Sequence, residues 1–204
     1  MKNFTHLLIS SLIVIISSCA SKTKNNEATN NQDSRKVASL KGFRNFKLGS
    51  NISENSDLIP YPNEDYYYND SIKVFAYVKK NENLNIGDLR VNNIEYVYYA
   101  NKLSRIHINF KRADAYLYKA ILDSLYGESV FEKNKGYGLN TWENDSVRLF
   151  LSISDTLSET PHFSNFIHYI SIPVQQQISS DIESYNSNIK AREKDILNKS
   201  AKDL

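Results

Sequence analysis

The only cysteine of this 204-residue chain, Cys19, stands just past the end of an apolar run, Leu7 to Ile16. A single cysteine allows neither an internal disulfide nor a cysteine-based metal site, so whatever folds downstream must be held by a hydrophobic core. Lys2 supplies a short positive segment ahead of the run. The run is interrupted by Ser10 and Ser11, and its ten residues, eight of them apolar, fall short of the roughly 20 needed to span a bilayer. Residues 1–18 therefore read as an export leader rather than as part of the fold. What remains is long enough for one domain with a substantial core.

The four residues Ile16-Ser17-Ser18-Cys19 are an aliphatic residue, two small residues and the cysteine. They resemble the lipobox of bacterial lipoprotein precursors, a resemblance that covers residues 1–19. It implies removal of the leader by the lipoprotein-specific signal peptidase, a diacylglyceryl thioether on Cys19, and acylation of the new N-terminus, with palmitate among the chains expected. The lipid bilayer would then be the first partner, because several acyl chains, at about 0.8 kcal/mol per buried methylene, hold firmly where one does not. The expected location is the exported side of the cell membrane or the outer membrane. No aspartate follows Cys19, so nothing marks inner-membrane retention.

Composition narrows the remaining classes. The formal charge of +2 includes Lys2, which leaves the mature chain near neutral. No dense basic patch is present, so nucleic acid is not an expected partner. Residues 19–39 read as a flexible tether. From Ser21 the sequence SKTKNNEATNNQDSRKVAS is polar, aperiodic and has almost nothing to bury. Its expected role is reach.

Residues 40–172 read as an α+β domain, with an antiparallel sheet carrying one internal helix and followed by a long C-terminal helix over 173–204. The opening Gly42-Phe43 and Leu48-Gly49-Ser50 predict a turn, a short strand and a short helix capped by Ser50 or Ser53, with Ile52, Leu58 and Ile59 buried. Pro60 and Pro62 end that helix, and PYPNEDYYYND over residues 60–70 reads as a loop. Alternation predicts a strand over 71–79, a short strand at 89–91, and a hairpin of 94–100 with 103–111 turning around Asn101-Lys102. In its second arm Ile106, Ile108 and Phe110 share one face, while Arg105, His107, Asn109 and Lys111 share the other.

A helix is predicted over 114–126 with Leu117, Ile121 and Leu125 as its apolar stripe, widened by Ala120 and Leu122, and Gly127 as its C-cap. Strands over 137–143, 146–154 and 163–172 follow, the first two joined at Asn144-Asp145. Leu122 to Glu128 and Trp142 resemble exported α+β domains of uncharacterised function, in which L-x-x-x-Y-G-x ends a helix ahead of a Trp-bearing strand. A fainter similarity is to the shorter SmpA/OmlA-like lipoprotein domains. Neither transfers a function. In the last helix Pro173 suits the first turn. Ile178, Ile182, Tyr185, Ile189 and Ile196 recur at helical spacing, with Arg192 occupying the missing apolar position. The expectation is that Ile178 to Ile189 pack on the domain, and that an exposed stripe would bind another helix.

Candidate chemistry is sparse. His107, His162 and His168 are the histidines of the mature chain, and His162 and His168 are not expected to share a face. Catalysis or metal binding would need two of them to converge with a carboxylate. No G-x-S-x-G elbow or phosphate-cradling loop is present. No cofactor, catalytic residue or metal ligand is therefore assigned. Tyr66, Tyr67 and Tyr68, with Tyr61 and with Tyr96, Tyr98 and Tyr99 as further members, suit a sugar or protein surface, although tyrosine is also a strong strand former. The reading is a membrane-anchored, non-enzymatic binding or scaffold module of the cell envelope, with an envelope protein as partner. The alternatives are a cell-envelope hydrolase or a glycan-binding module using the tyrosine loop.

Overall fold

The computed structural model describes residues 36–69, 72–134, 136–154 and 165–200, and for 62–69 the backbone alone. The architecture is α+β, a large antiparallel sheet with a short internal helix and a long C-terminal one. Its strands are β1 (Gly42–Phe43), β2 (Phe46–Lys47), β3 (Leu58–Asn69), β4 (Ile72–Lys79), β5 (Asn85–Ile86), β6 (Leu89–Tyr99), β7 (Lys102–Phe110), β8 (Val130–Asn134), β9 (Tyr137–Glu143), β10 (Val147–Ser154) and β11 (Phe166–Ser171). The helices are α1 (Ala115–Tyr126) and α2 (Ile172–Ser200).

The main sheet runs β3-β4-β6-β7-β11-β10-β9-β8, with β5 paired to β6, and every pairing is antiparallel. After β7 the chain passes through α1 to the far edge. It then returns strand by strand until β11 lies against β7. The β6–β7 turn is made by Ala100 and Asn101, both at positive φ (46° and 64°), one residue earlier than the sequence suggests. Two successive left-handed residues match the twist of a tight hairpin.

Both faces of the sheet are used. The larger core lies on the face presenting Ile94, Tyr96 and Tyr98 of β6, Ile106, Ile108 and Phe110 of β7, Leu149 and Leu151 of β10, and Ile167 and Tyr169 of β11. The β1–β2 hairpin and α1 cover it. On the other face Ile72, Val74 and Ala76 of β4 and Val97 of β6 meet Val174 and Ile178 of α2. Strand alternation produces this division directly, since successive side chains alternate between faces.

The N-terminal hairpin is held by chemistry as well as by packing. Gly42 is required because a Cβ there would lie 2.1 Å from the Phe46 carbonyl oxygen. Phe46 stacks on Tyr96, with ring centroids 4.0 Å apart. Arg44 pairs with Glu82 and donates to the carbonyls of Asn83 and Asn85 at 2.7 Å, and Tyr96 Oη donates to Glu82 at 2.8 Å. Residues 36–39, expected in the tether, form a helical turn. Asn144 Nδ2 holds it by donating to the carbonyls of Val37 and Leu40, each at 2.9 Å.

Three local expectations are corrected. The short helix is a 3₁₀ turn, Ile52–Glu54, capped by Asn51 rather than Ser50 or Ser53. The Asn51 side chain accepts from Ser53 N–H, and Glu54 accepts from Asn51 N–H at 2.7 Å. Ile59 is exposed and Leu58 only half-buried. Residues 60–69 are no loop but part of β3, with Pro60 opposite Tyr77 and a register shift before Asp65. Prolines fit there because β3 is an edge strand with a bulge, where an N–H is not needed for the ladder.

The third correction concerns α1. Its buried residues are Ala115, Tyr118 and Leu122, whereas Leu117 and Leu125 are each 53 % exposed. The helix is rotated because aromatic side chains bury more area than leucine. The Tyr118 ring meets Phe110 at 4.7 Å, and Tyr126 is half-buried against the same core. Gly127 ends the helix as expected, at φ 90°, its N–H donating to the Asp123 carbonyl at 2.9 Å. β8, just beyond, has no counterpart in the sequence reading. Trp142 Nε1 donates to the Gly127 carbonyl at 2.8 Å, so the two landmarks of the helix–Trp pattern touch. Replacing Trp142 by Phe leaves that buried carbonyl unpaired and removes part of the ring. Urea unfolding is expected to show a loss of about 1–3 kcal/mol from the unpaired group alone.

Candidate functional site

At the centre of the sheet the register places Glu95, His107, His168 and Phe150 side by side on β6, β7, β11 and β10. His107 and His168, neither assigned a role from the sequence, are hydrogen-bonded to each other through Nδ1 and Nε2, with ring centroids 4.4 Å apart. Phe166 stacks on His168 at 4.2 Å. Glu95 is buried and accepts from Asn93 Nδ2 at 2.6 Å. Arg105, His107 and Asn109, which share this face of β7, are half-buried.

Burial lowers the pKa of His107 to about 4. The Arg105 charge adds to the shift, and a hydrogen bond with Asn109 opposes it. His168 is pushed well below the ordinary imidazole range by burial, then by His107 and Arg105. Both rings are neutral at pH 7, and each spends a nitrogen on the other. An imidazole so shifted is a weak base at neutral pH. Among the described residues no group of three or more His, Cys, Asp or Glu could hold a metal ion. The row reads as a polar seam closing the centre of the sheet. His162 lies outside the described residues, and because β11 starts at Phe166, strand alternation does not relate it to His168.

Two open features lie elsewhere. A cleft of about 600 Å³ sits at the end of the sheet, where the N-terminal hairpin, the 144–147 turn and the start of α2 meet. Lys41, Lys47, Lys102, Asp145 and Ser171 are among its lining residues. The second is α2 itself. Val174 and Ile178 are buried, and Ile182 and Tyr185 are half-buried. Beyond them Ile189, Ile196 and Leu197 are 37 %, 54 % and 69 % exposed. Tyr99 Oη donates to Asp181 Oδ2 at 2.6 Å, near the last turn that touches the sheet. A 29-residue helix extends roughly 43 Å, so much of α2 projects past the domain.

The residues singled out from sequence are distributed as follows. Cys19 lies outside the described residues. The backbones of Tyr66 and Tyr67 are paired with Val74 and Lys73 on the edge strand, and the side chains of Tyr66, Tyr67 and Tyr68 are outside the description. Tyr96 and Tyr98 are core residues, 0 % and 1 % exposed, and cannot join a surface. The imidazole pair and the lysine-lined cleft were not foreseen. Both depend on which strands become neighbours, although the non-core phase of His107 and His168 between buried apolar residues was a usable signal.

The paired imidazoles give stability a defined pH dependence. The unfolded chain takes up protons on these groups as pH falls through about 6.5, whereas folded His107 resists until about 4. Stability is therefore fully kept above pH 6.5 and declines as pH falls through this window. The His107→Gln/His168→Gln variant should show a shallower decline in urea titrations, by up to about 1.4 kcal/mol per pH unit for each imidazole removed. An unchanged slope would show that the pair does not titrate as described. Compared with protein-family models, curated proteins and solved structures, the chain matches none.

Proposed function

We propose that this protein is a lipid-anchored module of the bacterial cell envelope that binds a partner protein through its projecting C-terminal helix. The observation that carries the binding role is the outer half of α2. Tyr185, Ile189 and Ile196 continue the stripe that begins with the buried Ile178, yet Ile189 and Ile196 are exposed. Apolar residues at alternating spacings of four and three form a seam suited to a second helix, and Arg192 within it would select a partner carrying a carboxylate opposite. The membrane role rests on Cys19 and the lipobox-like residues before it.

Two substitutions test the two halves separately. Cys19→Ala should move the protein from the membrane fraction to the soluble exported fraction, and retention in the membrane would contradict the anchor. Ile189→Lys/Ile196→Lys should abolish crosslinking of a stoichiometric envelope protein in intact cells. Because both residues are exposed, folding stability should change by no more than about 0.5 kcal/mol per site. Unchanged crosslinking would remove α2 as the docking element.

A further inference from the structure

The sheet-end cleft has a charge arrangement that neither the anchor nor the helix stripe uses. Lys41 and Lys47 come from the two sides of the N-terminal hairpin, and Lys102 from the start of β7. All three are exposed, and among the described residues none is in an ion pair. Asp145 is the one carboxylate in the lining, so the cleft carries net positive charge. Asn144, also in the lining, is already committed. Its amide nitrogen serves Val37 and Leu40, and its oxygen accepts from the N–H groups of Ser146 and Val147.

The floor strengthens the preference for an anion. The first residues of α2, Pro173 and Val174, face the cleft, and the start of a helix carries partial positive charge. Ser171, 3 % exposed, also lines it, and its Oγ accepts only a long 3.5 Å bond from Val174 N–H, leaving the hydroxyl hydrogen without an acceptor among the described residues. Beside these polar groups stand the apolar side chains of Leu40, Leu48 and Val147. A volume of about 600 Å³ is in the range of small-ligand sites.

We propose that this cleft binds a phosphate-bearing anion, with Lys41, Lys47 and Lys102 as its charged contacts and the apolar wall taking the organic part. Three ammonium groups around one hollow suit a phosphate, an anion with several acceptor oxygens, better than a neutral sugar or a single carboxylate. The source favoured by position is an anionic phospholipid headgroup. Ala38 and Leu40 line the cleft, which places it beside the part of the described chain nearest in sequence to Cys19. Each lysine near an anionic surface contributes about 1 kcal/mol, or roughly fivefold. The choice of headgroup rests on the lipid-anchor reading, whereas the phosphate chemistry does not.

The test is residue-resolved lysine acetylation, read by mass spectrometry on the purified full chain in neutral detergent micelles. Phosphatidylglycerol added to the micelles, or glycerol phosphate or inorganic phosphate added to the buffer, supplies the anion. Lys41, Lys47 and Lys102 should be slowed on the order of fivefold relative to Lys80 and Lys111. Protection by the lipid alone identifies the headgroup, and protection by the soluble anions as well identifies phosphate whatever its source. The soluble arm does not depend on acylation, so it separates this proposal from the anchor. In the Lys47→Gln/Lys102→Gln variant, whose exposed sites leave the fold intact, protection of Lys41 should require on the order of 25-fold more anion. No protection, or equal slowing at all lysines, would overturn the proposal.

Discussion

The pairing of β7 with β11 is the contact on which the rest of this structure depends. It joins β3-β4-β6-β7 to β11-β10-β9-β8. On one side of the seam Ile106 and Ile108 meet Tyr169 and Ile167 in the main core. On the other His107 meets His168. The pairing links distant parts of the chain, so the intervening loop entropy is offset only when the apolar side is buried. The hydrogen bond between two neutral imidazoles offsets part of the cost of burying them as the opposite side closes.

The same seam fixes where the helices go. α1 fills the gap left when the chain travels from β7 at the centre to β8 at the edge, and it packs on the main core beneath the returning strands. β11 ends in the middle of the sheet, so α2 must start there and cross the other face. Val174, Ile178 and Ile182 find Ile72, Val74, Ala76 and Val97, and the helix then runs out of sheet. The projecting half of α2 is thus a consequence of the topology. Burying each anchoring aliphatic contributes about 1.5–3 kcal/mol, enough to hold the first turns without fixing the last.

Local pattern was legible, and neighbourhood was not. Alternation in β7, β9 and β10 located those strands to within a residue or so, because one face of each is deeply buried. Gly127 marked the end of α1 for the simple reason that its backbone is left-handed there. The phase of α1 was misread because Leu117, Ile121 and Leu125 form a regular stripe, yet Tyr118 with Leu122 outweighs them once Phe110 is beneath. β3 was hidden by Pro60 and Pro62, which an edge strand tolerates and a central one does not. The His107–His168 contact could not be read from spacing, since it requires knowing that β11 lies beside β7. The three lysines of the cleft are separated in sequence and meet only through the hairpin and the β6–β7 turn.

The central functional claim is that α2 is gripped by the domain at one end and by a partner at the other. Hydrogen exchange across residues 172–200 tests it directly when the purified full chain is compared with the same chain in the envelope membranes on which the proposed anchor would hold it. Slow exchange is expected up to about Ile182 in both settings, and rapid exchange over 186–200 that becomes slow only in the membrane. Equally rapid exchange of 186–200 in both settings, or protection along the whole helix in the purified chain, would contradict it.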